Sequence, residues 1–211
     1  MIKNLVIEKM KEQVIQTGAE AVLIRKGDLV LKRRVRKGYR LPELDGKLRK
    51  LRTRSEARLL DKVGKLVSVP RVEKVDDKLM EIDMEFIDGK KLSESLDEMK
   101  EWKEVCFYLG KGIGKLHDAG IIHGDLTTSN MIFHRGEVYF IDFGLGFGNG
   151  KIEDKAVDLH LMKRASEARH FVKFEEYWKA ILNGYKKSRH FGKVMKQLEK
   201  VEGRGRYKQS Y

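Results

Sequence analysis

The stretch His123-Gly124-Asp125-Leu126-Thr127-Thr128-Ser129-Asn130, followed by Ile141-Asp142-Phe143-Gly144, decides how the rest of the chain is read. Asp125 and Asn130 lie on one short loop. Met131–His134 and Glu137–Ile141 read as a strand pair turning at Arg135-Gly136, which carries the chain back so that Asp142 faces that loop. Two carboxylates and an amide are hard oxygen donors, and these suit Mg²⁺. Asp, Gly and Asn also gather by chance in turns, so either half alone is a weak signal. The two halves in order, joined by a hairpin, are a strong one.

The pattern H-x-D-L-x-x-x-N, then D-F-G, is the catalytic-loop and metal-loop pair of protein kinases. On that pattern Asp125 accepts or orients the proton of the attacking oxygen, and Asn130 and Asp142 hold Mg²⁺ against the nucleotide phosphates. The departures are informative. Gly124 stands where H-R-D has arginine, and Thr127 where Ser/Thr kinases commonly carry lysine. Only ten residues separate Asp142 from Glu153, four glycines fall within Phe143–Gly150, and no A-P-E motif follows. The phosphate-handling residues are kept and the platform for a peptide substrate is missing. ATP hydrolysis or self-phosphorylation is therefore expected ahead of broad protein phosphorylation.

With 211 residues the chain has the length for one domain or two small lobes around a real core. No apolar run approaches a membrane span and no signal peptide is visible, so no membrane association is expected. The single cysteine, Cys106, excludes an internal disulfide framework, fits a reducing cytoplasm, and falls in an apolar helical pattern as a buried inert thiol. The formal charge is +13, concentrated as +10 over residues 25–54 and +7 over residues 186–211, which leaves a slightly acidic remainder. Such segments read either as solvated surface or as a surface for a polyanion such as RNA.

Before the catalytic stretch, Glu12–Gln16, Ala21–Arg25 and Asp28–Arg34 read as strands. The turn Thr17-Gly18-Ala19-Glu20 stands where kinases keep a glycine-rich loop over the phosphates, although it has one glycine only. Lys32 stands where the nucleotide lysine is expected, with Lys32 and Arg34 pointing one way and Leu31 and Arg33 the other. Pro42 opens a helix to about Val63. Its leucines (Leu44, Leu48, Leu51, Leu59, Leu60) mark an apolar stripe, and Glu56 is the candidate partner of Lys32. Val72–Val75 and Lys78–Phe86 form a strand pair turning at Asp76-Asp77. Met84 to Gly89 reads as a hinge, where the backbone of Glu85 and Phe86 would bind the adenine edge.

Beyond Gly89 the pattern turns helical: Leu92–Met99, an apolar stripe from Trp102 to Leu116, a helix from Glu153 toward His170, another within Phe171–Tyr185, and a short one over Val194–Val201. His117 reads as structural. Asp158 either braces the catalytic loop through its backbone amides or is a first-turn helix acid. Arg204-Gly205-Arg206-Tyr207-Lys208 reads as a flexible basic tail.

Taken together these residues resemble the small atypical protein-kinase subunit of the KEOPS (EKC) complex, the PRPK-type family of RIO-like kinases. The resemblance rests on Gly18-Ala19-Glu20-Ala21, Lys32-Arg33-Arg34 with Lys37-Gly38-Tyr39-Arg40, Arg54-Ser55-Glu56-Ala57, the two catalytic stretches, Glu153-Asp154-Lys155-Ala156-Val157-Asp158-Leu159, and Arg204-Gly205-Arg206. It implies an α+β, minimal two-lobed kinase-like fold, with residues 1–88 as N-lobe and 89–211 as C-lobe. It implies ATP and Mg²⁺, with Asp125 catalytic, Gly18, Ala19, Glu20, Lys32, Glu56, Glu85 and Phe86 at the nucleotide, Asn130 and Asp142 at the metal, and His123 and Asp158 supporting the loop. It also implies a complex that makes N6-threonylcarbamoyladenosine at position 37 of tRNA, with the threonylcarbamoyl transferase against the C-lobe and a small regulatory subunit against the N-lobe. Arg33, Arg34, Lys37, Arg204 and Arg206 are candidate RNA contacts. The alternatives are a tRNA-binding scaffold with vestigial catalysis and a small-molecule kinase. Kinases of the latter kind carry a large acceptor insert, for which this chain has no room.

Overall fold

The computed structural model describes residues 12–206. They divide into two compact units: one holds the residues up to Arg54 together with Val72–Phe86, the other Ser55–Arg71 and the chain from Ile87 onward. The first holds strands β1 (Glu12–Thr17), β2 (Ala21–Lys26) and β3 (Leu29–Arg34), the part of helix α1 (Pro42–Val63) up to Arg54, and β4 (Val72–Asp76) and β5 (Glu81–Glu85); the rest of α1 belongs to the second. The five strands make one antiparallel sheet in the order β1-β2-β3-β5-β4. β3 lies at its centre, with Lys32 opposite Leu23 on one side and Ile82 on the other. Ile24, Val30, Leu31, Ile82 and Met84 form its buried apolar part.

Two local expectations change here. The β4–β5 turn is wider than Asp76-Asp77: the Asp76 carboxylate accepts the amides of Lys78 (2.8 Å) and Leu79 (2.9 Å), Met80 takes φ +55°, and the strand starts only at Glu81. The leucine stripe of α1 is also not uniformly its buried face. Leu59 and Leu60 are buried, but Leu44 and Leu51 are exposed. In the first turns the buried positions are Asp45 and Thr53, because Asp45 is held by Arg49 and by the Lys37 amide while Thr53 bonds back to the Arg49 carbonyl.

The second unit has β6 (Lys90–Lys91), α2 (Leu92–Ser95), α3 (Trp102–Asp118), β7 (Met131–His134), β8 (Glu137–Phe140), α4 (Ile152–Arg169), α5 (Phe174–Tyr185) and α6 (Phe191–Arg206). β6, β7 and β8 form a small antiparallel sheet in that order; the two-residue β6 is too short to leave a sequence pattern. Leu109, Ile113, Leu116, Leu126, Phe140, Phe143, Leu159, Tyr177, Ile181 and Tyr185 fill the core. α3 and α5 meet at their glycines. A Cβ on Gly110 would lie 1.9 Å from the Ile181 carbonyl oxygen, and one on Gly184 1.9 Å from that of Phe107. Cys106 is fully buried and burial pushes its thiol up to about 12, so it stays protonated and unreactive.

The C-terminal end departs from the expected flexible tail. α6 continues through Arg206, burying Val194 and Leu198. It is tied to α4 by Lys163 to Glu202 (2.8 Å) and Arg204 to Glu153 (2.6 Å), so Arg204 is a helical, ion-paired residue. Tyr207 and Lys208 of the expected tail, and the side chain of Arg206, lie outside the described residues.

Candidate active site

In the second unit the strand pair β7–β8 sets the spacing of the site. Beyond the ladder, which pairs Met131 with Phe140, the Ile141 amide donates to the Asn130 carbonyl (3.0 Å). Asp142, one residue further, is thereby kept beside the loop that ends at Asn130. It sits in the left-handed region (φ +60°), and its carboxylate accepts the Gly144 amide (3.1 Å). Leu126 and Thr128 are buried and anchor the loop, while Asp125 and Asp142 are exposed. Asn130 Nδ2 donates to the Asp125 carbonyl (2.8 Å) and to Asp125 Oδ2 (2.9 Å). That spends the amide nitrogen within the loop and leaves Asn130 Oδ1 as an acceptor.

Two side chains, Asp158 and His123, fix the loop, and His117 and Tyr185 stand behind Asp158. Asp158, buried in the second turn of α4, accepts the amides of His123 (2.7 Å) and Gly124 (2.9 Å). It also faces His117 Nε2 at 3.4 Å, and His117 Nδ1 meets the Tyr185 hydroxyl at 2.9 Å. His123 Nε2 lies 3.1 Å from the Ile141 carbonyl, and its Nδ1 accepts the Asp125 amide (3.3 Å). This pattern is that of the neutral, Nε2-protonated ring. Burial pushes its pKa below the ordinary histidine value and outweighs the nearby carboxylates, chiefly Asp158. The ring packs 4.5 Å from Phe143. His123 thus joins the Asp125 segment to the Asp142 segment.

Gly124 has a structural cause. Its φ is +81°, and a Cβ there would lie 2.4 Å from the Leu145 carbonyl oxygen. The short segment after Asp142 folds back, with Phe147 bridging Ile122 (2.9 and 3.1 Å) and the Gly150 amide donating to the Gly120 carbonyl (2.9 Å). The Lys151 amide then donates to Asp154 and starts α4. The ten residues form a strap against the catalytic loop.

His170 carried no local sequence signal. It follows the last turn of α4, is buried, and bridges Asp97 (Nδ1, 2.9 Å) to the Thr128 hydroxyl (Nε2, 3.2 Å). Its partners are 73 and 42 residues away in the chain, a pairing that no local pattern encodes.

In the first unit Lys32 is buried on the central strand. The Gly18 amide closes its turn on the Ala21 carbonyl (2.9 Å), the Ala19 carbonyl accepts the Lys37 ammonium, and Glu20 is ion-paired with Arg52 (2.7 Å). Glu85 pairs with Leu29 in the sheet. The Phe86 amide donates to the Asp28 carbonyl (2.8 Å), so its backbone has only the carbonyl left for an adenine edge, and the Arg25 guanidinium lies 3.8 Å over its ring. Glu56, on the part of α1 that belongs to the second unit, is buried. Of the candidate RNA contacts, Arg34 is corrected: it is 5% exposed with a nitrogen toward the Arg52 carbonyl, because its position on β3 faces inward with Lys32. Arg33 is exposed and paired with Glu81.

A family model described as RIO domain matches residues 31–145, the segment that carries Lys32, Glu56, Asp125, Asn130 and Asp142. A relative in Pyrococcus abyssi, the KEOPS complex subunit Bud32, is 48% identical over 187 residues, covering 86% of this chain and 85% of the relative. The probable bifunctional tRNA threonylcarbamoyladenosine biosynthesis proteins of Methanococcus vannielii and Methanocaldococcus jannaschii are each 40% identical, over 94% of this chain. The chain spans only 37% and 38% of the length of those two. With the RIO domain matched over more than half its length and the Pyrococcus relative over most of both chains, the chain belongs to the RIO-domain family and, within it, to the family of the KEOPS complex subunit Bud32.

Proposed function

We propose that this chain is the Mg·ATP-dependent kinase-like subunit, acting chiefly as an ATPase, of a cytoplasmic complex that forms N6-threonylcarbamoyladenosine at position 37 of tRNA. The observation that carries it is the loop braced by Asp158 and His123, which presents Asp125 and Asn130 beside Asp142 with a strap in place of an activation segment. Family membership supplies the setting.

The donor set fits the metal: Asn130 has an amide oxygen to give, and Asp142 adds an exposed carboxylate, all hard oxygens suited to Mg²⁺. When bound, Mg²⁺ neutralises charge on the phosphate oxygens. Lys32 is the ammonium for the phosphates and Glu56 its orienting carboxylate; the Gly18–Glu20 turn covers the phosphates, and Glu85 and Phe86 border the adenine. Asp125 has Oδ2 held by Asn130, which leaves Oδ1 to take the proton. A water oxygen attacks the γ-phosphorus, its proton passes to Asp125, and the bond to the ADP oxygen breaks. A hydroxyl of the protein itself can replace the water. His123, Asp158 and Asn130 hold Asp125 in position and pass no proton.

In this reading residues 1–88 are the nucleotide lobe and 89–211 the lobe that meets the transferase. The exposed Leu44 and Leu51 face of α1 meets the small regulatory subunit, since two leucines at helical spacing gain nothing from water. Asp125→Ala tests the core of the proposal: turnover of Mg·ATP, measured with and without transferase and tRNA, should fall by about 10³-fold with the thermal transition unchanged. Unchanged turnover would sink the assignment of Asp125, and stimulation of the wild type by transferase and tRNA is the expected mark of an ATPase working within a complex.

A further inference from the structure

The turn at Gly18-Ala19-Glu20 lacks the glycines that let a phosphate-covering loop settle around its ligand, yet it is tethered at several points. Its carbonyl and carboxylate groups are taken by cations from the segment after β3 and from α1. The Lys37 ammonium donates to the Ala19 carbonyl. The Val35 amide donates to the Glu20 carbonyl (3.1 Å). Arg52 meets the Glu20 carboxylate at 2.7 Å and Arg40 approaches it at 3.8 Å.

Two of these residues, Lys37 and Arg40, are themselves held. Asp45 is 1% exposed; it accepts the Lys37 amide (3.2 Å) and is ion-paired with Arg49 (2.7 Å) and Arg40 (3.7 Å). Burial by itself would raise the Asp45 carboxyl. The Arg49 hydrogen bond, the Lys37 amide and the charges of Arg49 and Arg40 outweigh it and hold the carboxyl below the usual range. The carboxylate is therefore ionised at neutral pH and serves as a fixed post. A buried carboxylate on the first turn of a helix is costly unless its partners are worth holding, and here its partners are two of the groups that grip the loop.

We infer that Lys37 and Arg40, anchored on Asp45, and Arg52, from α1, are positioning residues that clamp the Gly18–Glu20 turn in one conformation so that its amides are pre-set for nucleotide phosphates. In a loop with one glycine, side-chain tethers do what backbone freedom does elsewhere. Nucleotide is bound without an ordering cost because the loop is ordered beforehand. This rests on reading the turn as the phosphate-facing loop, and it gives Lys37 a role toward nucleotide in place of RNA.

The test uses the full chain, a fluorescent N-methylanthraniloyl ATP as probe, and hydrogen exchange of amides 18–21 without nucleotide. Lys37→Gln and Arg52→Gln should each weaken probe binding by about ten-fold and speed exchange at amides 19 and 20. Lys37→Arg, which keeps the donor, should restore both to within about two-fold of wild type. KM for ATP should rise while kcat changes by less than about two-fold, a split that general loss of fold would not produce. Asp45→Asn should behave as the two glutamine variants do; if it fails to fold, the exposed-side variants still decide. Binding by Lys37→Gln and Arg52→Gln equal to or tighter than wild type overturns the clamp alone. Failure of the wild type to bind the probe overturns the nucleotide reading and the clamp with it.

Discussion

At the residue scale, the catalytic groups and two of their supports, His123 and Asp158, are readable in the sequence, and the bracing of the His123 and Gly124 amides by Asp158 is the one expected, while His170 is not readable. Asp125, Asn130 and Asp142 stand out because acids and amides at that spacing have few structural reasons to occur together. Gly124 was legible as a departure from arginine, but the cause, a carbonyl of Leu145 where a Cβ would be, comes from a residue beyond the hairpin. His123 offers a pH prediction. Its pKa in the fold lies below the ordinary histidine value of 6.5 because burial disfavours the charged ring. Above that value neither folded nor unfolded chain carries the proton and the stabilisation is complete. As pH falls below it the unfolded chain binds a proton that the folded chain refuses, so stability is lost until the lowered folded pKa is reached. Urea midpoints between about pH 7.5 and 5.5 should fall for the wild type, at up to ~1.4 kcal/mol per pH unit from this group. His123→Gln, less stable throughout, should show a shallower fall; parallel curves would show that His123 is not held neutral.

At the element scale, the sequence placed most helices and strands close to where they are, because periodicity and turn residues are local properties. The pattern predicts a helix from Pro42 to about Val63, and α1 has those bounds. The differences have one physical form: the face a side chain takes is decided by an element other than its own. Leu44 and Leu51 face out because Asp45 and Thr53 are drawn inward. α6 runs 16 residues where a short helix was expected, because Glu153 and Lys163 of α4 offer partners for Arg204 and Glu202. The α3–α5 crossing makes a stability prediction. With Gly110 and Gly184 each under a carbonyl of the other helix, Gly184→Ala must push the helices apart. It should cost about 3 kcal/mol, a drop of roughly 6–12 °C in Tm by calorimetry. A change under about 1 °C would mean that the contact yields freely.

At the scale of the whole molecule, the net charge of +13 is concentrated in two segments, and part of it is spent internally: Arg34 is buried, Lys37 grips Ala19, and Arg204 is paired with Glu153. The polyanion reading therefore predicts fewer phosphate contacts than the raw charge suggests. Affinity for tRNA should fall as salt rises from about 50 to about 200 mM, with a log–log slope near −0.7 to −0.9 per phosphate neutralised. Arg33 is exposed but shared with Glu81, so Arg33→Glu should flatten that slope by at most about one. A salt-independent affinity would remove the electrostatic account. Among the described residues no helix is long and apolar enough to cross a membrane. The sequence by itself determined the chemistry of the chain: which acids, amides and lysines are present, at what spacing, and on which kind of element, since these are carried by neighbours in the chain. Tertiary structure alone decided which of them are held and by what. His170 reaches the catalytic loop from across the fold, Lys37 and Arg52 close on the Gly18 turn, and Arg34 goes inward while Leu44 goes out. The reason is that burial and hydrogen-bond partnership are settled by residues distant in sequence, to which no local pattern refers.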